Sequence, residues 1–267
     1  MSCSNPVDVL KAKIAQKGSM VVAFSGGVDS SLLSLVAKET LGNQHLCILL
    51  DSPLLPAKSR EQAEIIAHKY GLNFEILPFK VLEQPGIDSN PSDRCYHCKK
   101  ASAKLLKSYA SMNGFNCVAD GTNLSDLGEY RPGLAAGEEE GIIYPFVEAG
   151  INKSDIREIA NERGYIFWNF PSSACLASRI PYNENLTEDK LKTIDEAENI
   201  LSSLGFIQVR VRLHGDGAIA RIEILEEELE SFLTYRKKVV SRLKNLGVLY
   251  VTIDIEGYRS GSMDEIL

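Results

Sequence analysis

Residues 20–24 form a short apolar run with β-branched members, closed by a pair of glycines, and 45–50, 73–78 and 117–120 read as further strands. Runs of this length without polar alternation predict strands buried on both faces. Between them, 30–39, 58–70 and 99–112 return apolar residues at helical spacing, and 154–163 does so with Ser154 as its cap and Gly164 beyond its end. Strand and helix alternate, so the expected class is α/β: a doubly wound parallel sheet covered by helices on both faces. The pattern changes at the polar stretch 181–185. Thr187 then caps a helix to 204, strands follow at 206–213 and 218–224, a helix covers 227–246, and a last strand covers 248–255. This predicts a second, smaller α+β domain, giving domains at 1–182 and 183–267.

A chain of 267 residues is comfortable for two domains and can bury a core without disulfides or structural metal. Its 44% hydrophobic and 24% charged residues are ordinary for a globular protein. No apolar run reaches the length of a membrane span, and residues 1–6 have neither the basic flank nor the apolar core of a secretory signal, so a cytoplasmic address without a membrane partner is expected. The net charge of −7, from 29 Lys and Arg against 36 Asp and Glu, argues against a nucleic-acid partner.

Six cysteines stand at 3, 47, 95, 98, 117 and 175. Cys47 and Cys117 lie in apolar runs and read as core thiols. Cys95-Tyr96-His97-Cys98 and the distant Cys175 are the candidates for chemistry. Three thiolates could hold three irons of a [4Fe–4S] cluster; a zinc site with His97, or a redox pair, could use the same residues.

Ser25-Gly26-Gly27-Val28-Asp29-Ser30-Ser31 sits where the first strand turns into the first helix of the alternating series. The glycines let the backbone turn tightly and present N–H groups to a phosphate, the helix adds its positive end, and the serines add hydroxyls. Asp29 would repel phosphate alone, which suits it to hold Mg²⁺ against the phosphates. The string lacks the Gly-Lys-Ser/Thr ending of a Walker loop and the spacing of a dinucleotide loop, so the expected ligand is ATP.

That string resembles the loop of the PP-loop ATP pyrophosphatases. The resemblance implies cleavage of ATP between the α and β phosphates and transfer of AMP to a substrate oxygen. It also implies that Asp51 and Ser52 seat the adenine, that Gly121, Thr122 and Asp126 form a second nucleotide segment, and that Lys153 contacts phosphate. Within the superfamily, residues 121–133 and 171–179, together with Val209-Arg210-Val211-Arg212, resemble the LarE family, which makes the nickel-pincer nucleotide. The implied substrate is pyridinium-3,5-biscarboxylic acid mononucleotide, with a carboxylate converted through its adenylate to a thiocarboxylate. Ser178, Arg179, Arg210 and Arg212, with Tyr130 and Arg131, are the expected substrate contacts; Arg210 and Arg212 are two apart on a strand and share a face. The sulfur source stays open between sulfide carried on a cluster held by Cys95, Cys98 and Cys175, fed by an external donor, and the sulfur of Cys175 itself, leaving dehydroalanine. The resemblance further implies a homo-oligomer, with a hexamer expected. A tRNA-thiolating enzyme and a non-catalytic nucleotide or iron–sulfur module are the competing readings.

Overall fold

The computed structural model describes residues 5–128, 132–171, 173–259, 261–263 and 265. Contacts divide the chain into two compact units: Met1–Gln84 with Asp93–Ser173, and Pro85–Ser92 with Ala174–Leu267. The division thus falls between Ser173 and Ala174, upstream of the polar link at 181–185.

The first unit is built on four parallel strands, β1 (Met20–Ala23), β2 (His45–Asp51), β3 (Phe74–Pro78) and β4 (Cys117–Ala119), in the order β3-β2-β1-β4. Neighbouring residues on each strand enter different cores. Met20, Val22, Cys47 and Leu49 join the cluster made with α1 (Pro6–Ala15), α2 (Val28–Leu41), α3 (Ala57–Lys69) and α7 (Lys153–Glu162). Val21, Leu46, Ile48 and Val118 join Ala103, Leu106 and Ala110 of α4 (Arg94–Met112) on the other face. Apolar side chains on both faces explain why β1 and the middle of β2 read as unbroken apolar runs. Two further helices, α5 (Pro132–Glu139) and the short α6 (Pro145–Glu148), complete the unit.

Local signals set several boundaries. Asn5 accepts the Val7 N–H and Pro6 opens α1, a helix the periodicity did not announce. The cap of α7 is Asn152 rather than Ser154. Asn152 accepts the N–H groups of Ser154 and Asp155, and the Asp155 carboxylate accepts the Asn152 N–H, a reciprocal capping box. The fourth helix begins at Arg94, not at 99, so the Cys-x-x-Cys segment is helical.

The second unit pairs β5 (Arg210–His214) antiparallel to β6 (Ile219–Glu223), and β6 parallel to β7 (Tyr250–Ile253). Helices α8 (Glu188–Ser202) and α9 (Leu229–Asn245) supply buried Leu191, Ile194, Leu201, Phe232 and Val239, while Val211, Leu213, Ala220 and Ile222 are buried on the strands. Thr187 caps α8 by accepting the Lys190 N–H.

His45, at the start of β2, is 2% exposed; its Nδ1 lies 2.5 Å from the Gly42 carbonyl and its buried Nε2 has no hydrogen-bond partner. Burial lowers its pKa, and burial followed by the Arg221 charge lowers that of His214, whose Nε2 is also buried and unpartnered. Above the unfolded-state value of about 6.5 both are neutral in either state and contribute nothing to pH dependence; below it only the unfolded chain takes up the protons. Urea melts should therefore show stability falling as pH drops below about 6.5, by up to about 1.4 kcal/mol per histidine per pH unit. His45→Gln should remove part of that slope, and an unchanged slope would reject the assignment.

Candidate active site

The strand order reverses between β1 and β4, since α2 and α3 lie on one face and the connection from β3 to β4 runs through α4 on the other. Crevices at such a reversal, beyond the carboxyl ends of the strands, are where open α/β sheets bind ligands. The glycine-rich loop follows β1 and Gly121 follows β4, so both border this point.

The loop is held from within. The Ser25 N–H donates to Ser30 Oγ at 3.2 Å, the two serine hydroxyls are 3.0 Å apart, the Gly27 N–H reaches Ser25 Oγ at 3.3 Å, and Ser30 Oγ reaches the Gly27 carbonyl at 3.3 Å. Gly26 has φ +71°, and a Cβ there would stand 2.7 Å from the Ala63 Cα. Gln62 Nε2 donates to the Gly26 carbonyl at 2.8 Å, so α3 braces the turn. Val28 and Asp29 begin α2 behind Gly27, whose extended backbone aims the first-turn N–H groups at the crevice. Ser31 is fully buried and its hydroxyl has no hydrogen-bond partner. Asp51 ends β2, where Arg60 Nη1 donates to its carboxylate at 2.7 Å; Ser52 follows, half-buried.

Across the reversal, a Cβ on Gly121 would lie 2.9 Å from the Ser30 nitrogen, so only a bare backbone fits against the start of α2. Asp120, 8% exposed, accepts the Thr122 N–H at 3.0 Å through Oδ1 and pairs through Oδ2 with the Lys99 ammonium. Asp126 is buried and accepts the Asn123 N–H at 3.0 Å, which shapes the turn after β4. Lys153 opens α7, with its N–H donating to Ser125 Oγ at 3.2 Å. Four segments of the first unit expected to meet the nucleotide thus line one end of the sheet. Gln62, Lys99 and Asp120 were missed by sequence reasoning, because none belongs to a phosphate string and only the fold brings them to the loop. Tyr130 and Arg131 lie outside the described residues.

The cysteines sort by exposure. Cys47 is buried and burial pushes its thiol up to about 12; Cys117 is half-buried, with its pKa raised by burial, beside a cavity of about 430 Å³ with Lys107, Phe115 and Asn116 at the amino end of β4. Cys95 and Cys175 are exposed and Cys98 half-buried. Cys95 and Cys98 share a face of the first turn of α4, and Arg94 Nη2 points at Cys95 Sγ from 3.8 Å. Among the described residues no three His, Cys, Asp or Glu side chains are gathered to hold one metal ion.

In the second unit, the Cys175 carbonyl accepts from the Ser178 N–H at 3.1 Å, Ser178 Oγ at 2.8 Å and Arg179 Nη1 at 3.0 Å, which pins the exposed residue at the head of a 3₁₀ turn. Arg179 is 2% exposed; it grips Glu198 with Nε and Nη2 at 2.9 and 3.1 Å, and Nη1 also donates to the Ala174 carbonyl and Ser178 Oγ. Arg212 is likewise buried, on Glu223, the Ser178 carbonyl and Ser262 Oγ. Arg210 differs. Half-buried, it donates to the Val209 carbonyl and lies 5.4 Å from the Tyr258 ring centre, and burial followed by the charge of Arg179 lowers its pKa. It stays protonated, and a desolvated cation among cations attracts an incoming anion.

A family model described as NAD synthase matches residues 3–119. An uncharacterized protein of Synechocystis sp. is 38% identical over 92% of this chain and 92% of its own length. Pyridinium-3,5-bisthiocarboxylic acid mononucleotide synthase of Lactiplantibacillus plantarum is 37% identical over 97% of this chain and 93% of its own. A subunit of the glutamine-hydrolyzing GMP synthase of Thermoplasma volcanium is 39% identical, but over only 29% of this chain and 26% of its own. Similarity to the two proteins matched along their length therefore includes the second unit, which the GMP synthase match is too short to span. No helix among the described residues is long and apolar enough to cross a membrane.

Proposed function

Since this chain belongs to the LarE family of PP-loop ATP pyrophosphatases, we propose that it adenylylates a carboxylate of pyridinium-3,5-biscarboxylic acid mononucleotide and replaces the adenylate by sulfur. The observation that carries this reading is the end-to-end similarity to the Lactiplantibacillus plantarum synthase, supported by a glycine-rich loop at the sheet's reversal point. A carboxylate oxygen attacks the α phosphorus of ATP, the α–β bond breaks, and pyrophosphate leaves. A sulfur nucleophile then attacks the acyl carbon and AMP leaves with the electron pair, giving the thiocarboxylate. The loop N–H groups and Ser25 and Ser30 hydroxyls would orient the phosphates, and the half-buried Asp29 carboxylate would supply a hard oxygen ligand for Mg²⁺ beside them. Arg210 would meet an anionic group of the nucleotide.

For the sulfur, the exposed Cys95 and half-buried Cys98 on one helical face, with the exposed Cys175, are the thiols a [4Fe–4S] cluster would take. In the second reading, Cys175, pinned at the head of its 3₁₀ turn, surrenders its own sulfur. Homo-oligomeric assembly belongs to the proposal as well, with exposed Leu249, Tyr250 and Ile255 around the edge strand β7.

Anaerobically purified protein given ATP should release pyrophosphate only when the pyridinium biscarboxylate is added. No release, or release with bulk tRNA instead, would overturn the proposal. About four irons and labile sulfides per chain, lost in Cys95→Ala, would assign the sulfur to the cluster. Iron-free protein that loses one H2S equivalent of mass at Cys175 in one turnover would assign it to that cysteine.

A further inference from the structure

We propose that Lys99 is a phosphate-contacting cation of the adenylylation site, held in place for that role by Asp120. The inference rests on the reading that the glycine-rich loop binds ATP, and it assigns a residue that lies in no phosphate string.

Lys99 occupies the sheet-facing stripe of α4. Ala103, Leu106 and Ala110 on that stripe are buried against the sheet, and Lys99 continues it one turn toward the helix start. In a parallel sheet the connecting helix runs back against the strands, so its start stands at their carboxyl ends. The side chain accordingly ends on Asp120, the residue immediately after β4.

That position borders the loop. Val22 pairs with Ala119 in register, which sets Asp120 alongside Ala23 at the root of the glycine-rich turn. Gly121 then lies against the Ser30 nitrogen at the first turn of α2. The ammonium therefore stands on the carboxylate next to the backbone groups that would receive phosphate.

The surroundings are fitted to a lysine stem. On α5, one turn apart, a Cβ at Gly133 would stand 3.6 Å from Lys99 Cβ, and one at Gly137 would stand 3.3 Å from Lys99 Cε and 2.1 Å from Tyr144 Oη. Two bare positions on one helical face leave the lysine its path. Asp120 is nearly buried, and burial followed by the charge of Asp120 raises the Tyr144 phenol above its usual pKa, so Tyr144 stays a neutral neighbour. The Lys99 side chain remains 28% exposed. Taking the pair wholly out of water would carry a desolvation cost that further hydrogen bonds must offset. A lysine with one carboxylate partner and an open end can keep Asp120 and still donate its remaining protons to phosphate oxygens.

The test is calorimetric binding to the full chain of two ligands, α,β-methylene-ATP and adenosine. Neither depends on the pyridinium substrate or on sulfur, so failure of the sulfurtransferase proposal would leave the result intact; failure of the unaltered protein to bind either would sink the nucleotide reading itself. Lys99→Met should weaken the triphosphate analogue about 10- to 100-fold, the usual effect of losing a charged hydrogen bond, and leave adenosine within about twofold. Lys99→Arg should recover much of the loss. Analogue affinity unchanged in Lys99→Met, or both ligands weakened equally, would overturn the proposal. Lys99→Gln provides the same comparison should the methionine variant fail to fold.

Discussion

Gly26→Ala is expected to reduce ATP-dependent pyrophosphate release at least about 100-fold and to cost about 2–4 kcal/mol of stability. A left-handed backbone penalises any side chain by roughly 1–2 kcal/mol, and Gly26 sits at φ +71°. The added methyl would also stand 2.7 Å from Ala63 Cα and 2.9 Å from its Cβ, contacts no rotamer can relieve, so either α3 or the loop must move. Forced overpacking of this kind costs about 1–3 kcal/mol. The loop is the cheaper element to move, because α3 contributes buried Ala63, Ile66 and Ala67 to the core. Displacing the loop also breaks its bond from Gln62 and shifts the N–H groups proposed to receive phosphate, and misplacement by about 1 Å can cost about two orders of magnitude in rate. Gly121→Ala separates the contributions. Its φ is not left-handed, so its effect comes from close approach alone, 2.9 Å to the Ser30 nitrogen and 3.0 Å to the Asp29 carbonyl carbon. Pyrophosphate release and urea melts on both variants provide the check; a Gly26→Ala protein with undiminished release would mean that the loop does not carry the phosphates.

What was legible beforehand follows from how local each signal is. The buried strands β1, β2 and β4 were readable because both their faces are apolar, which leaves no polar alternation to interpret. The glycine-rich turn from β1 into α2 was readable because its signal lies in consecutive residues. Elements whose stability comes from a cap or a partner were not: α1 depends on Asn5 and Pro6, and α5 and α6 are short pieces of eight and four residues. Pro85–Ser92 belongs to the second unit through pairings with distant sequence, Asn183 N–H to the Asn90 carbonyl and Leu186 N–H to the Asp88 carbonyl, which no window of local pattern contains. The same limit applies to Lys99, whose partner Asp120 is 21 positions away, and to the arginines, whose sequence spacing announces a shared face but not which of them already has a carboxylate.

The arginines of the second unit should therefore separate sharply on mutation. Arg179→Met is expected to cost about 3–5 kcal/mol, because it strips a bidentate partner from the largely buried Glu198 and removes one donor each from the Ala174 and Cys175 carbonyls. Glu198 would keep only the Val211 N–H among its observed partners. Any activity lost with Arg179 would then follow from disorder of the segment presenting Cys175, and urea melts would show it first. Arg210→Met should instead cost no more than about 1 kcal/mol, since it gives up one bond to a neighbouring carbonyl and a ring contact. Its effect should fall on the pyridinium substrate. Removing a desolvated cation raised in potential by Arg179 should increase the KM for the mononucleotide about 10- to 100-fold, with the KM for ATP little changed. The pair of variants is informative because the two guanidiniums belong to one electrostatic cluster yet differ in what occupies their donors. Equal stability losses would mean that Arg210 is as structural as Arg179, and an unaltered mononucleotide KM in a stable Arg210→Met protein would place the anion-binding group elsewhere on the chain.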